Sequence, residues 1–545
     1  MKRVYEKYYK EEKNEDGNLV SVKLNIPEDF NFSYDVLDEL AKTNPNGTAI
    51  VWVGDDDTKK VFTYKEISEL TNMTANYLES LGVKKGDHVM LLMKKRHEFW
   101  TTLLALHKIG AIAVPGSHLL SIDDLKYRMD VIDVKHVVCA DSEDVLSKVE
   151  KTVKRTVQNL VVTKGRRNGW SSMEVELPKF SPYFERSTHI NHKDDVMLVY
   201  FTSGTTKNPK AVVHTYSYPL AHIVTAKEWH GVIPGTLHFS MADSGWAKSM
   251  WGKLYGQWLC EGAVLVYDYE RFDSHKVLTK IQELGVRTFC APPSIYNYFA
   301  QLDLTDYNLN KMVHMTTAGE SLPKTTFDKI KKELGLTLYQ GYGQTEMTLN
   351  TFQQHNKKDM SWNSIGHFSP QYNSMIVDEN GNPVQSGITG EIVIASGDNY
   401  GLLKAYINEH GIMESPYNNG LYHTGDIAWQ DENGNVFFFG RNDDVIKSSG
   451  YRISPAEIED SIQKLFPFVK ECAVVGVPDE MKGQIIKAFI VLDSSKDADP
   501  SLKKEMLLLM REVISGYKRP HDLEFKESLP RTPSGKVMKN CLKNI

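Results

Sequence analysis

Nowhere does this sequence run to the ~18 consecutive apolar residues that would cross a bilayer. Its charged, tyrosine-rich lead from Met1 to Gly17 has no apolar centre, so neither a membrane span nor an export signal is expected. Cysteine is scarce: five residues, widely spaced, with no Cys-x-x-Cys pair. That excludes a disulfide framework or a zinc site and suits a reducing, cytoplasmic setting. No charge of one sign dominates, since 64 basic against 70 acidic residues leave a net charge of −6. A general nucleic-acid or membrane-surface binder is therefore not expected, and any anionic ligand must be held by local groups. Internal repeats and low-complexity tracts are also missing. What is present is an ordinary globular composition, 41% hydrophobic and 25% charged, over 545 residues. At ~150 residues per core, that length predicts three or four core-forming units.

The pattern along the chain is helix followed by short apolar strand. Thr63 and Glu66 have capping-box spacing ahead of a helical stretch, Tyr64 to Leu81, and His88 to Met93 then reads as a strand. Phe99 to Ile109, Ala111 to Pro115, Asp123 to Val131 and His136 to Ala140 repeat the alternation. A second series runs from Gly262 to Ala318. Both predict parallel sheets covered by helices. From Tyr372 to Phe439 short strands and turn signals predict a small β unit, barrel-like in form. Beyond about Asp443, helices and strands alternate in a compact α+β unit. The fold class is thus α/β: a large domain, 1–441, with two doubly wound sheets and a small β-barrel, and a small α+β domain, 442–545.

Chemistry concentrates in five segments. The strand-like Leu198 to Phe201 enters Thr202-Ser203-Gly204-Thr205-Thr206-Lys207-Asn208-Pro209-Lys210. Hydroxyls and open backbone N–H groups can donate to phosphate oxygens there, glycine admits close approach, and lysine offsets charge. The Gly-Lys-Ser/Thr ending of a Walker A loop is missing, and a plain hydroxyl-rich turn is the competing reading. Tyr339-Gln340-Gly341-Tyr342-Gly343-Gln344-Thr345-Glu346 offers flat backbone and a ring able to stack on a base, or else an ordinary glycine-aromatic turn. Asp426, closing Tyr422-His423-Thr424-Gly425-Asp426, can accept from both ribose hydroxyls, and Arg441 is a permanent cation some fifteen residues later. The bland alternative is a turn aspartate and a surface arginine. Asp443 to Glu459 holds Ser449-Gly450-Tyr451-Arg452, then a Ser-Pro-x-Glu helix start. Last, Lys536 ends Pro530-Arg531-Thr532-Pro533-Ser534-Gly535-Lys536, near a terminus where a lysine is usually just solvated.

Taken together and in this order, the five segments resemble the adenylate-forming superfamily: acyl-CoA synthetases, luciferases and peptide-synthetase adenylation domains. The resemblance covers nearly the whole chain and is similar in wording to the medium-chain and branched-chain acyl-CoA synthetases, notably in Asp243-Ser244-Gly245-Trp246 and Phe289-Cys290-Ala291-Pro292-Pro293. It implies an enzyme that joins a carboxylic acid to ATP as an acyl-adenylate and passes the acyl group to coenzyme A. ATP, Mg²⁺ and coenzyme A are the implied cofactor and co-substrates, and no nucleic acid or membrane partner is implied. A homo-oligomer stays open. The resemblance makes Lys536 the catalytic lysine, with Thr205 and Glu346 beside the nucleotide as metal ligands. It gives Thr202, Ser203, Gly204, Thr205, Thr206, Lys210, Gly319, Glu320, Ser321, Gly341, Tyr342, Gly343, Gln344, Thr345, Asp426, Arg441 and Arg452 to ATP or AMP.

The acyl pocket falls to Trp246, Lys248, Trp251, Cys290, Ala318 and Gly343, the pantetheine arm to Ser449, Gly450 and Tyr451, and the hinge of a mobile small domain to Asp443. Lys207 and Asn208 depart from the small and apolar residues common in the family's phosphate loop. Gly343 stands where acetate-specific relatives place tryptophan, which predicts an open pocket floor and an acid of roughly four to ten carbons, aliphatic, branched or aryl. Lys248 is out of place in an apolar slot: it steers the acid's carboxylate or points to water. Two rivals remain, a catalytically silent nucleotide-binding regulator and an enzyme loading a carrier-protein thiol.

Overall fold

The Thr63 hydroxyl accepts from the Glu66 N–H while the Glu66 carboxylate accepts from the Thr63 N–H, and this reciprocal cap starts the helix Tyr64–Ser80. A computed structural model describes residues 3–187, 190–202, 209–355, 361–448, 451–479, 482–532 and 535–543, and of Arg452 the backbone alone. Expected helices recur with small shifts, among them His97–Ile109, Ile122–Val131, Ser274–Leu284 and Pro455–Leu465.

Two nine-stranded sheets carry the large part of the chain. In the first, His88–Leu92, Ile112–Pro115, His136–Cys139 and Asn159–Val162 run parallel, and Val196–Phe201 joins parallel to Ile112–Pro115. In the second, Thr48–Gly54, Ala263–Asp268, Leu237–Ser240, Thr288–Ala291, His314–Ala318 and Leu338–Tyr342 run parallel. Thr48–Gly54 precedes every strand of the first sheet yet pairs in the second, and the hairpin Tyr9–Lys13 with Leu19–Leu24 opens the chain; neither was visible in the motif pattern.

Period-two alternation explains how the sheets stack. Val89 and Leu91 share one core with Val264 and Val266 of the second sheet, and with Trp100, Trp258 and Tyr255 from intervening helices. Met90 and Leu92 face the opposite side, as do Leu265 and Tyr267 in theirs. Each sheet is therefore apolar on both faces, which is why its strands read as continuous apolar runs.

The short-strand segment forms a five-stranded antiparallel sheet around Leu421–Gln430. Residues 446–525 bury a core of their own, including Ile446, Ile458, Ile490 and Leu523. Lys464 crosses to the large part, its ammonium 5.4 Å from the Trp362 ring centroid. Thr202 follows the carboxyl end of a parallel strand, and Ala318 and Tyr342 close two others, the ends at which open α/β sheets bind ligands.

Candidate active site

The register of the small sheet sets Asp426 directly opposite Arg441. Asp426 is buried, and its Oδ2 accepts from the Tyr342 hydroxyl and the Gln344 amide nitrogen, both at 2.6 Å. Gln344 is held in that orientation by donating to the Thr424 carbonyl at 2.9 Å and accepting from the Tyr422 hydroxyl at 2.8 Å. An Arg441 nitrogen stands 3.6 Å from Asp426 Oδ1 and another 3.7 Å from Asp443. Burial raises the Asp426 carboxyl above its ordinary value, while Arg441, the two donors and the Lys536 ammonium act the other way. Lys536, far along the sequence, is thus near enough for its charge to act on this carboxylate. Its loop is closed by the Thr532 N–H donating to the Lys536 carbonyl at 2.8 Å, and Gly535 takes the positive φ (+87°) the turn needs.

Ser203, Gly204, Thr205, Thr206, Lys207 and Asn208 lie outside the described residues, as do Ser449 and Gly450. The base of the loop is defined: the Thr202 N–H donates to the Lys210 carbonyl at 3.0 Å, and the Lys210 N–H to the Thr202 hydroxyl at 3.1 Å. The Lys210 ammonium lies 4.9 Å from the Tyr406 ring centroid, and the Tyr406 hydroxyl donates to Glu346 Oε1 at 3.0 Å. Tyr406 therefore ties the loop base to Glu346. Sequence reasoning missed it, because its strand, Ala405–Ile407, is recruited only by pairing with Ala211–Thr215. Burial pushes the Glu346 carboxyl up, against the Tyr406 hydrogen bond and the charges of Arg441 and Lys210. The loop carrying Glu346 is pinned by its backbone: the Thr345 carbonyl bonds His214 at 2.8 Å and the Glu346 carbonyl accepts from the Leu403 N–H at 2.7 Å.

A half-buried carboxylate with one oxygen held by Tyr406 fits a divalent ion that takes one or two protein oxygens and fills its shell with phosphate and water. Among the described residues no cluster of three or more His, Cys, Asp or Glu side chains would hold a metal unaided. The donor set thus suits Mg²⁺ arriving with a triphosphate.

On the acid's side, Lys248 Nζ donates to the Ala318 carbonyl at 2.5 Å. The residue is half-buried, and burial lowers the pKa of its amine. Cys290 sits in register with Thr316 beside it, its thiol pushed up by burial. Half-buried Trp246 donates its N–H to the Asp243 carbonyl at 3.1 Å, ahead of the helix Lys248–Lys253.

Gly343 requires a correction. A Cβ there would stand 2.4 Å from Trp251 Cη2 and 2.6 Å from the Thr348 carbonyl. The space expected behind Gly343 is filled by the Trp251 indole, so the glycine is needed for close packing and opens no deeper floor. Gly341 likewise makes room for Trp229, 2.8 Å from its Cβ position. Glu320 accepts from the Ser294 N–H at 3.2 Å, at the start of the helix Pro293–Phe299. Gly319 and Ser321 are exposed beside it. Tyr451 is exposed on the small unit and stacks on Tyr517, centroids 4.7 Å apart.

Residues 37–407 match the family described as AMP-binding enzyme, and residues 457–536 match the AMP-binding enzyme C-terminal domain. Acyl-coenzyme A synthetase ACSM3, mitochondrial, of Rattus norvegicus is 34% identical over 536 residues, covering 96% of this chain and 91% of its own. 4-Hydroxybutyrate--CoA ligase 1 of Metallosphaera sedula is 34% identical over 517 residues, covering 93% and 89%. The crystal structure of the anthranilate CoA ligase AuaEII in complex with anthranoyl-AMP superposes with a TM-score of 0.84 at 25% identity, covering 95% of this chain and 98% of that one. No described helix is long and apolar enough to cross a membrane. The chain belongs to the AMP-binding enzyme family and is an ATP-dependent, AMP-forming acid–CoA ligase.

Proposed function

We propose that this ligase activates a short carboxylic acid in the cleft between Asp426, Glu346 and Lys248, and that Lys536 supplies the mobile charge for the first half-reaction. One observation supports the reading: Asp426 faces Arg441 and is bonded by Tyr342 and Gln344, while Tyr406 links Glu346 to Lys210 at the base of the neighbouring loop. A carboxylate oxygen of the acid attacks the α-phosphorus of ATP, the bond to the bridging oxygen breaks, and pyrophosphate leaves. Charge accumulates on the phosphoryl oxygens, and preorganised cations stabilise it. Lys536 and Lys210 are assigned that task, Asp426 holds the ribose, and Tyr342 lies along the base. Mg²⁺, when bound, neutralises the triphosphate, with Glu346 and Thr205 as the residues to hold it.

In the second half-reaction the sulfur of coenzyme A attacks the acyl carbon, AMP leaves with the bonding electrons, and the thiol proton passes to solvent. Lys536 obstructs that step, so the domain 442–545 turns about Asp443, bringing Ser449, Gly450, Tyr451 and Arg452 to the cleft. The separate core of residues 446–525 supports rigid-body motion, and the Asp443 carbonyl, held by the Lys543 ammonium at 2.7 Å, lies at the junction. The Trp251 indole shortens the pocket and favours the small end of the four-to-ten-carbon range. One relative bears the name of a four-carbon hydroxy acid ligase, in keeping with that size. Five free cysteines suit a reducing compartment, and the cytoplasm is the one this reading assigns.

The test is acid-dependent exchange of labelled pyrophosphate into ATP across acids of two to ten carbons, followed by AMP release with coenzyme A or a carrier protein as acceptor. Exchange with short acids and transfer to coenzyme A are expected. Exchange with none would favour a silent regulator, and transfer to the carrier alone would favour a carrier-loading enzyme.

A further inference from the structure

Near Lys248 stand hydrogen-bond donors that have no partner among the described residues. Lys248 has three N–H donors as an ammonium and, among the described residues, one acceptor, the Ala318 carbonyl. Its amine approaches to 3.8 Å the position a Cβ would take on Gly319, so it sits at the mouth of the strand end that borders the site. Close by, His230 is 1% exposed and feels the Lys248 charge. The Gln257 amide nitrogen bonds the Trp251 carbonyl at 2.8 Å, which fixes its orientation, and lies 3.0 Å from His230 Nδ1. Nδ1 is therefore an acceptor and the ring proton sits on Nε2, which has no partner. Trp229, stacked on His230 with centroids 4.6 Å apart, also leaves its indole N–H unpaired. Both are nine-tenths buried or more.

Buried polar groups are almost always satisfied, and a group left bare costs its full desolvation. Among the described residues the buried groups left bare here are two donors, His230 Nε2 and the Trp229 indole N–H, and one acceptor, Gln257 Oε1, while the Lys248 amine is the cationic donor. An alkyl chain beside Lys248 would leave its spare N–H donors unmet; an accepting oxygen would meet them. The Trp251 indole, one helical turn beyond Lys248, limits how far that oxygen can lie from the activated carboxyl.

Resting on the ligase reading above, with Lys248 in the acid's pocket, we propose that the acid carries a second oxygen, as hydroxyl, keto or carboxyl, a few carbons from the carboxyl being activated, and that Lys248 determines this specificity by donating to it.

The experiment measures kcat/KM for AMP release by the full-length enzyme with ATP, Mg²⁺ and coenzyme A. Its substrates are pentanoate, 4-hydroxybutyrate, 4-oxopentanoate and succinate, which separate alkyl, hydroxyl, keto and carboxyl ends. At least one oxygenated acid is expected to exceed pentanoate by roughly 10- to 100-fold, the effect of one hydrogen bond to a charged donor. Lys248→Met should erase that ratio, mainly through KM, and a wild-type thermal unfolding midpoint with and without ATP shows the variant is folded. Lys248→Arg, which keeps a cationic donor, should retain part of the preference. Pentanoate equal to or better than every oxygenated acid in the wild-type enzyme overturns the proposal, as does an unchanged ratio in Lys248→Met. If Lys248→Met does not fold, the wild-type ratio and Lys248→Arg decide. Exchange with none of the acids overturns the ligase reading and this proposal with it, a result distinct from exchange without preference.

Discussion

Trp251 and Gly343 divide one space between them: a methyl on Gly343 would stand 2.4 Å from the indole edge and 2.6 Å from the Thr348 carbonyl. The room beside Gly343 is therefore taken from the helix Lys248–Lys253, by Trp251, although the glycine is what a reader of the sequence notices.

Replacing the indole by a smaller apolar side chain should move the chain-length optimum. Each buried CH₂ stabilises by about 0.8 kcal/mol, so Trp251→Leu should raise kcat/KM by about fourfold for each carbon that enters the vacated volume. A panel of linear acids from butyrate to octanoate checks it, and an unaltered profile would remove Trp251 from the pocket floor.

Gly343→Ala should destabilise without opening or closing a substrate channel. The added carbon meets a backbone carbonyl that cannot rotate away, and overpacking of this kind costs about 1–3 kcal/mol. Thermal unfolding of the two proteins gives the answer directly.

Lys536→Ala should cut adenylation by about 10²- to 10³-fold, the usual loss for one transition-state donor, and spare thioester formation from supplied acyl-adenylate. Single-turnover measurement of each half-reaction is required. Equal damage to both would sink the account in which the lysine withdraws before coenzyme A attacks.

Both site carboxylates should titrate late. Burial raises Glu346 and Asp426 above their ordinary values of 4.5 and 3.8, so each takes up its proton at a higher pH in the folded protein than in the unfolded one. Above the folded pKa the buried charge costs stability; as pH falls through it, protonation relieves that cost while removing the ionised form the site uses. Activity should accordingly fall on the acid side even though protonation of these two groups favours the folded protein. Tyr406→Phe deletes a donor that holds Glu346 down, so the acid limb of the pH–rate profile should move to higher pH. A limb that stays in place would show that Glu346 does not govern it.

Much of this was legible in the sequence because it is local. The capping box at Thr63 and Glu66, the helices Ser274–Leu284 and Pro455–Leu465, and the apolar runs of the parallel strands follow from short-range hydrogen bonding and periodicity. The segments around Asp426 and Glu346 were legible for another reason: their residue types suit a nucleotide in an order that chance rarely supplies. Tyr406 was invisible, since a tyrosine in a short edge strand carries no motif, and its value lies wholly in reaching Glu346 from a strand paired with Ala211–Thr215. Glu320 was legible as a member of its segment but not in its direction, which is toward the Ser294 N–H.

By itself the sequence determined the class of the fold, the chemistry of the nucleotide segments and the expectation of a lysine acting from near the chain's end, because each is written in neighbouring residues. The tertiary structure alone decided that Arg441 faces Asp426, that Trp251 fills the room beside Gly343, and that Lys248 bonds the Ala318 carbonyl with donors to spare. Those relations join residues up to 92 positions apart, the span from Trp251 to Gly343, and distance along a chain fixes no distance in space until sheets pair and helices pack.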